Sequence, residues 1–428
     1  MLSLSKPRRV AIIGGCRIPF ARSNTAYAEA SNQEMLTAAL QGLVDRFELH
    51  GERLGEVVAG GVLKHSRDMQ LTRETVLSTT LGHDTPAYDV QQACGTGLEA
   101  AILVANKIAL GQIEVGVAGG VDTTSDAPIA INEGFRRALL AANRTKGTGA
   151  RLKALSRVRP DAPFRPEPPR NVEPRTGLSM GEHCEQMAKR WAIPREAQDA
   201  LAVASHQRMA AAYEAGLFDD LITPFLGLTR DNNLRPDIDP VKLATLKPVF
   251  DRAHGTLTAA NSTPLTDGAS TVLLASEDWA KARGLPVLAY LRAAETAAVD
   301  FVDGGEGLLM APAYAVPRML AKLGLSLQDF DYYEIHEAFA AQVLCTLKAW
   351  EDDVYARERL GLERAPGSID RERLNVHGGS LAAGHPFAAT GGRILAHLAA
   401  MLDRRGSGRG LISICAAGGQ GVVAVVEK

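Results

Sequence analysis

Residues 87–110 read Ala-Tyr-Asp-Val-Gln-Gln-Ala-Cys94-Gly-Thr-Gly-Leu-Glu-Ala-Ala-Ile-Leu-Val-Ala-Asn-Lys-Ile-Ala-Leu. Residues 87–93 have an extended pattern, glycines follow Cys94, and residues 98–110 carry apolar side chains at helical spacing. A strand that passes through a glycine-rich turn straight into a helix is a building unit of layered α/β folds. The unit recurs upstream and downstream. Residues 9–15, 57–63 and 114–120 have strand character, while 32–47 and 70–81 have the helical period. This alternation predicts an α/β domain with a mostly parallel sheet.

From 126 to 255 the character changes: Pro, Arg and Asn become frequent, and helical periodicity is confined to 180–191 and 195–213. That stretch is expected to be an insertion. Alternation resumes at 256–260 and 271–276 and continues to the end of the sequence. The expected division is an N-terminal core half at 1–125 completed by 256–280, an inserted loop domain at 126–255, and a C-terminal core half at 281–428. Each core half holds a glycine-rich turn opening a helix, then a β run with Gly-Gly, at 117–120 and 415–419. The plan is that of a duplicated core.

Composition narrows the function classes. The 428 residues are 46% hydrophobic and 22% charged, a soluble balance with large buried cores. Aromatics are 5% and the net charge is −2, which argues against a nucleic-acid binder; an anionic ligand must be met locally. No run approaches the about 18 apolar residues of a membrane span. The basic start at residues 1–9 is too short for a signal or transit peptide. The five cysteines are scattered with no CxxC pair, so no zinc site is expected and a reducing cytoplasm fits.

Cys94, placed before a helix, feels the positive end of the helix dipole, which favours a thiolate; the bland alternative is a small buried apolar residue. The glycines after it leave N–H groups free for an oxyanion. His385, in Gly378-Gly-Ser-Leu-Ala-Ala-Gly-His385-Pro, is also expected at a helix start, where a neutral ring can act as base toward a thiol. Its alternative is a capping histidine. Cys415, before Ala-Ala-Gly-Gly-Gln-Gly, is either a second proton-transfer group or a core residue. His336 opens His-Glu-Ala-Phe-Ala. Ala340 stands where a zinc-protease helix needs its second histidine, so the metal reading fails and a donor to a carbonyl oxygen or water is the better one. Gly-x-Ser-x-Gly and a dinucleotide fingerprint are absent.

Cys94 in QQACGTG, His336 in HEAFA, His385 in GGSLAAGHPFAATGGR and Cys415 in CAAGGQG, in that order, resemble the thiolase family over nearly the whole chain. They look most similar to the degradative branch that includes the β subunit of the fatty-acid oxidation trifunctional protein. His336 stands where the family usually has Asn, and additional residues at about 351–372 precede the His385 motif. The resemblance implies a duplicated α-β-α-β-α layered core with an inserted loop domain. It implies thiolytic cleavage of 3-ketoacyl-CoA, or the reverse Claisen condensation, through an acyl group on Cys94. His385 would activate Cys94, Cys415 would move the α proton, and His336 would sit near the enolate oxygen. The backbone N–H groups of Cys94 and Ala417 would hold the acyl oxyanion. Thr263 and Asn261 would lie near the pantetheine of CoA and Met180 would line the acyl pocket. CoA is a substrate, with no metal or redox cofactor required. The resemblance also implies a homodimer or homotetramer and a complex with a hydratase/dehydrogenase chain.

Arg136, Arg137, Arg144, Lys146, Arg151, Lys153, Arg157 and Arg159 make the insertion basic. They attract CoA phosphates, dock on an anionic membrane or partner, or form a solvated loop. Two rivals remain on the same fold: a ketoacyl synthase-type condensing enzyme, against which Cys415 counts, and a non-catalytic complex subunit.

Overall fold

The computed structural model describes residues 7–156 and 158–428; the readings made of residues 1–6 and Arg157 lie outside them. The first half runs β1 (Val10–Arg17), β2 (Ala21–Arg22), α1 (Asn32–Arg46), β3 (Glu56–Ala59), α2 (Leu71–Leu77), β4 (Ala87–Asp89), α3 (Thr96–Ala109) and β5 (Val115–Asp122). The insertion carries α4 (Glu133–Arg144), α5 (Thr148–Leu155), α6 (Met180–Arg190), α7 (Arg195–Glu214) and α8 (Pro240–Ala244). Then come β6 (Thr266–Ser276), α9 (Glu277–Ala282), β7 (Ala289–Ala298), α10 (Ala311–Leu323), β8 (Tyr332–Ile335), α11 (Ala340–Glu351) and α12 (Asp353–Tyr355). The chain closes with α13 (Ser380–Ala383), α14 (Ala389–Arg405), β9 (Arg409–Ala416) and β10 (Gln420–Glu427).

The strand order is β4-β3-β5-β6-β1-β7-β10-β9-β8. The sheet is mixed, against the expectation of a mostly parallel one. Among the described strands, the neighbours β4-β3, β3-β5 and β8-β9 are parallel and the other neighbours are antiparallel. The physical reason is that the last strand of each half runs back antiparallel beside its predecessor. In the second half β9 and β10 form a tight hairpin through residues 417–419; in the first, the equivalent β5–β6 connection is the insertion. Periodicity reveals strands and helices, but not whether a return is a hairpin or a crossover.

The pairings expose the duplication. β7, β8, β9 and β10 repeat β1, β3, β5 and β6, and Leu374 pairs in parallel with Tyr333 of β8 as β4 pairs with β3. The halves meet at β1 and β7 through two residue pairs, Ala11–Tyr290 and Ile12–Ala289. Alternate residues of each strand then serve different cores. Val422, Ala424 and Val426 join Val272 and Leu274 around α3 and α14, whereas Val423 and Val425 face α10 and α11. Leu273 and Ala275 face α1 and α2. The result is five layers, α-β-α-β-α, with α3 and α14 in the middle. Strands buried on both faces read as continuous apolar runs, as these do. Among the described residues no helix is long and apolar enough to cross a membrane.

Candidate active site

The middle layer brings the site together, because α3 and α14 meet at their N-terminal ends. A Cβ on Gly391 would lie 2.2 Å from the backbone N of Leu98, so the two helices touch backbone to backbone. Cys94 occupies the turn before α3. Its neighbour Ala93 has φ 46°, a left-handed value that costs a residue with a Cβ and marks a strained elbow. Thr96 ties the turn: Gln92 N–H donates to its Oγ1 (2.8 Å), and its hydroxyl donates to the Ala93 carbonyl (2.7 Å).

His385 lies in the turn before α14. Its N–H donates to Thr266 Oγ1 of β6 (2.8 Å), its Nδ1 meets Thr390 Oγ1 (2.6 Å), and the N–H of Ala388 donates to Asp122 Oδ2 at the end of β5 (2.9 Å). His336 follows β8; its N–H donates to the Ser413 carbonyl of β9 and its Nδ1 meets Ser380 Oγ (2.8 Å). The two rings stack at 4.1 Å between centroids, tilted by 48°. Both Nε2 atoms are buried without a protein partner. The Cys94 sulfur and one nitrogen from each ring lie within 4.8 Å of one another.

Cys415 is the penultimate residue of β9 and is buried, and a thiolate at Cys94 would make its own ionisation harder. The hairpin after it turns through Gly418 (φ 77°) and Gly419 (φ 71°), conformations that favour glycine. This hairpin aims the N–H of Ala417 at the Cys94 thiol, where the N–H of Cys94 itself also points. Both N–H groups thus favour negative charge beside the sulfur, and paired backbone donors of this kind can also stabilise an oxyanion. Glu173, from the insertion, accepts from the N–H of Gly418 (2.9 Å).

The electrostatics differ from the sequence expectation at Cys94. Desolvation pushes its thiol up to about 12, outweighing the Ala417 and Cys94 N–H groups that favour the thiolate. The resting sulfur therefore keeps its proton. Burial, aided by the charge of Arg393, pushes His385 down to about 3, so its neutrality comes from those two causes ahead of the helix terminus. His336 is pushed well below the ordinary range by burial, then by His385 and Arg393. Cys415 is raised by burial and by Cys94. One sulfur and two imidazole nitrogens also make a donor set for a soft divalent ion. The same three groups equally make a thiol beside two neutral imidazoles, a set that can move protons and acyl groups without an ion.

A cleft of about 250 Å³ opens beside the His336 segment, lined by Thr263 with Ser262, Phe250, Leu381, Arg22 and Arg235 among others. The Thr263 hydroxyl donates to the carbonyl of Ala338 (3.1 Å), two residues beyond His336. Asn261 does not line this cleft. It is fully buried, accepting from Thr258 N–H and donating to Asp199 and the Thr256 carbonyl, so it shapes the loop that presents Thr263. Met180 opens α6 and packs on the apolar cluster that contains Cys415. Among the described residues, none of the basic side chains singled out between 136 and 159 lines the cleft; the arginines there are Arg22 and Arg235. Sequence reading also passed over Asp122, Glu173, Thr266 and Ser380, placed by contacts 44 to 266 positions away, and Thr390 and Arg393, whose contacts with His385 and Ser380 are nearer in the chain.

The chain matches the family models described as thiolase, N-terminal domain, over residues 10–278 and thiolase, C-terminal domain, over 285–428. The chain belongs to the thiolase family. It is 42% identical over 425 residues to a 3-ketoacyl-CoA thiolase of Yersinia pestis, covering 98% of this chain and 97% of that protein. The Yersinia pseudotuberculosis 3-ketoacyl-CoA thiolase matches equally well, at 42% over the same shares. Among solved structures, acetyl-CoA acetyltransferase of Bacillus anthracis superposes with a TM-score of 0.82 at 31% identity, covering 99% of each chain. Human mitochondrial 3-ketoacyl-CoA thiolase in complex with CoA gives 0.81 at 28%, covering 98% of each. The layered thiolase fold and an acyltransferase activity of thiolase type follow.

Proposed function

We propose that this thiolase cleaves 3-ketoacyl-CoA with CoA to acetyl-CoA and a shortened acyl-CoA, or runs the reverse condensation, with Cys94 as the acyl carrier. The observation that supports this most is the meeting of the Cys94 sulfur, His336, His385 and the Ala417 N–H in one place. The Cys94 sulfur attacks the 3-keto carbon while its proton passes to Nε2 of His385. Thiol and ring both rest neutral, so attack and proton transfer are coupled. The N–H groups of Cys94 and Ala417 hold the oxyanion. The bond between C2 and C3 then breaks, leaving the acyl group on sulfur and an acetyl-CoA enolate, whose oxygen faces His336 and His385. Cys415 gives its proton to the enolate carbon and, as thiolate, takes the proton of incoming CoA. CoA sulfur displaces Cys94, which regains a proton from His385.

Thr263, Arg22 and Arg235 in the cleft suit the pantetheine and phosphates of CoA, and Met180 suits the acyl wall. The reaction calls for no metal or redox cofactor. A homodimer or homotetramer in the cytoplasm, joined to a hydratase/dehydrogenase chain, completes the reading; co-purification with such a chain tests the last element. The central experiment is a thiolysis assay over a series of 3-ketoacyl-CoA chain lengths. We expect CoA-dependent loss of substrate with an acyl adduct on Cys94. No cleavage at any length, with no adduct, overturns the proposal.

A further inference from the structure

Ser380 links the active site to a buried cation. Its Oγ lies 2.8 Å from His336 Nδ1 and accepts from Arg393 Nη2 at 3.0 Å. A guanidinium can only donate, so one lone pair of the serine oxygen is committed to Arg393. The serine has one proton to place. Among the described residues, His336 Nδ1 is the one other polar atom that Ser380 Oγ meets. A proton given to Nδ1 requires that nitrogen to be bare, which places the ring's own hydrogen on Nε2. That Nε2 is buried and has no partner among the described residues, in a ring that lies beside His385 and Cys94.

We propose that Ser380 and Arg393 are positioning residues that fix His336 as its Nε2–H tautomer, a ready-made donor to the enolate oxygen. This rests on the thiolytic reading above. His385 is set up the opposite way. Its Nδ1 meets Thr390 Oγ1, and among the described residues no cation donates to that hydroxyl, so it is free to accept from Nδ1–H. The His385 Nε2 is then bare and can take the thiol proton. Two adjacent rings thus carry opposite tautomers, one donor and one acceptor, as one step needs a base and the next an oxyanion partner.

The arrangement also accounts for Arg393. A buried guanidinium is costly unless compensated, and this one leaves its Nε without a partner. Burial outweighs the help that Glu334, Asp231 and Glu337 give its charge and holds its pKa below the ordinary value. Glu337 is itself held by Ser205 (2.7 Å), Asn375 (2.6 Å) and the N–H of Leu381 (3.1 Å), so the counter-charge is fixed to the segment that carries Ser380.

Neutron diffraction from deuterium-exchanged crystals of the full chain tests the tautomer directly. We expect a deuteron on Nε2 of His336 and none on Nδ1; a deuteron on Nδ1 overturns the proposal. Ser380→Ala supplies the kinetic test. Exchange of the acetyl-CoA α proton should fall about tenfold, less than the 10²–10³ of removing an oxyanion donor outright. Acylation of Cys94, which does not use His336, should fall less. Equal losses in the two steps, or none in exchange, overturn the assignment. A wild-type chain that neither acylates nor exchanges instead defeats the thiolytic reading. If Ser380→Ala does not fold, the wild-type neutron map decides alone.

Discussion

Glu173, carried by the insertion, accepts a 2.9 Å hydrogen bond from the backbone N–H of Gly418, in the hairpin that ends the second half of the core. The insertion replaces the tight return of the first half, yet it fastens the tight return of the second. The next peptide back in that hairpin carries the Ala417 N–H that points at Cys94.

Removing the Glu173 carboxylate should therefore loosen an oxyanion donor without touching substrate. A hydrogen bond to a charged group is worth about 1.5–3 kcal/mol. We expect Glu173→Ala to lower kcat about tenfold or more with KM nearly unchanged, and Glu173→Gln, which keeps an acceptor, to recover most of it. Steady-state kinetics on the two variants checks this; a change in KM alone would place Glu173 in binding.

The thiol of Cys94, raised to about 12, should be alkylated by iodoacetamide at a rate that climbs about tenfold per pH unit from pH 6 to 9.5 with no plateau. The sign follows from the proton balance: the reactive thiolate is the deprotonated form, roughly one part in ten thousand at pH 8. His385, down at about 3, is neutral throughout this range and adds no inflection. Peptide mapping assigns the label to Cys94. A plateau below pH 8 would mean a preformed thiolate–imidazolium pair.

Exchanging the two cysteines separates their duties. Cys94→Ala should abolish turnover and the acyl adduct while circular dichroism stays that of the folded protein. Cys415→Ser should still acylate Cys94 but lose α-proton exchange, since a hydroxyl is a far weaker acid than a thiol. Mass spectrometry of the adduct and deuterium uptake into acetyl-CoA read the two steps; equal loss of both would contradict the role of Cys415.

The sequence made the candidate reacting groups legible and left their settings hidden. Cys94, His336, His385 and Cys415 each stand in a short glycine-rich or helix-opening motif, so local pattern finds them. The alternation of strands and helices likewise shows the layers, because it is written in residues two to four apart. Asp122, Thr266 and Glu173 could not be found that way: each meets its partner across 119 to 266 positions. The helix dipole was a sound local argument for a thiolate at Cys94. It lost to desolvation, a property of the five-layer packing that no window of residues contains.

The contact between Gly97, Leu98 and Gly391 tests whether the middle layer itself assembles the site. A Cβ on Gly391 would stand 2.2 Å from Leu98 N, 2.9 Å from the Gly97 carbonyl carbon and 3.0 Å from Leu98 Cα. All three are backbone atoms, so no side-chain rotation relieves the clash and α3 must move off α14. Overpacking of this kind costs about 1–3 kcal/mol and occasionally more. We expect Gly391→Ala to lie at the upper end of that range in urea denaturation. Its activity should fall even at temperatures where it stays folded, because Cys94 precedes one helix and His385 the other. Gly149→Ala in α5 is the matched control, since a Cβ there meets nothing within 4 Å. Ala is favoured over Gly by about 1 kcal/mol inside a helix, so that variant should be neutral or slightly more stable with full activity. If Gly391→Ala behaved like the control, the close approach of α3 and α14 would not be what sets the Cys94–His385 geometry.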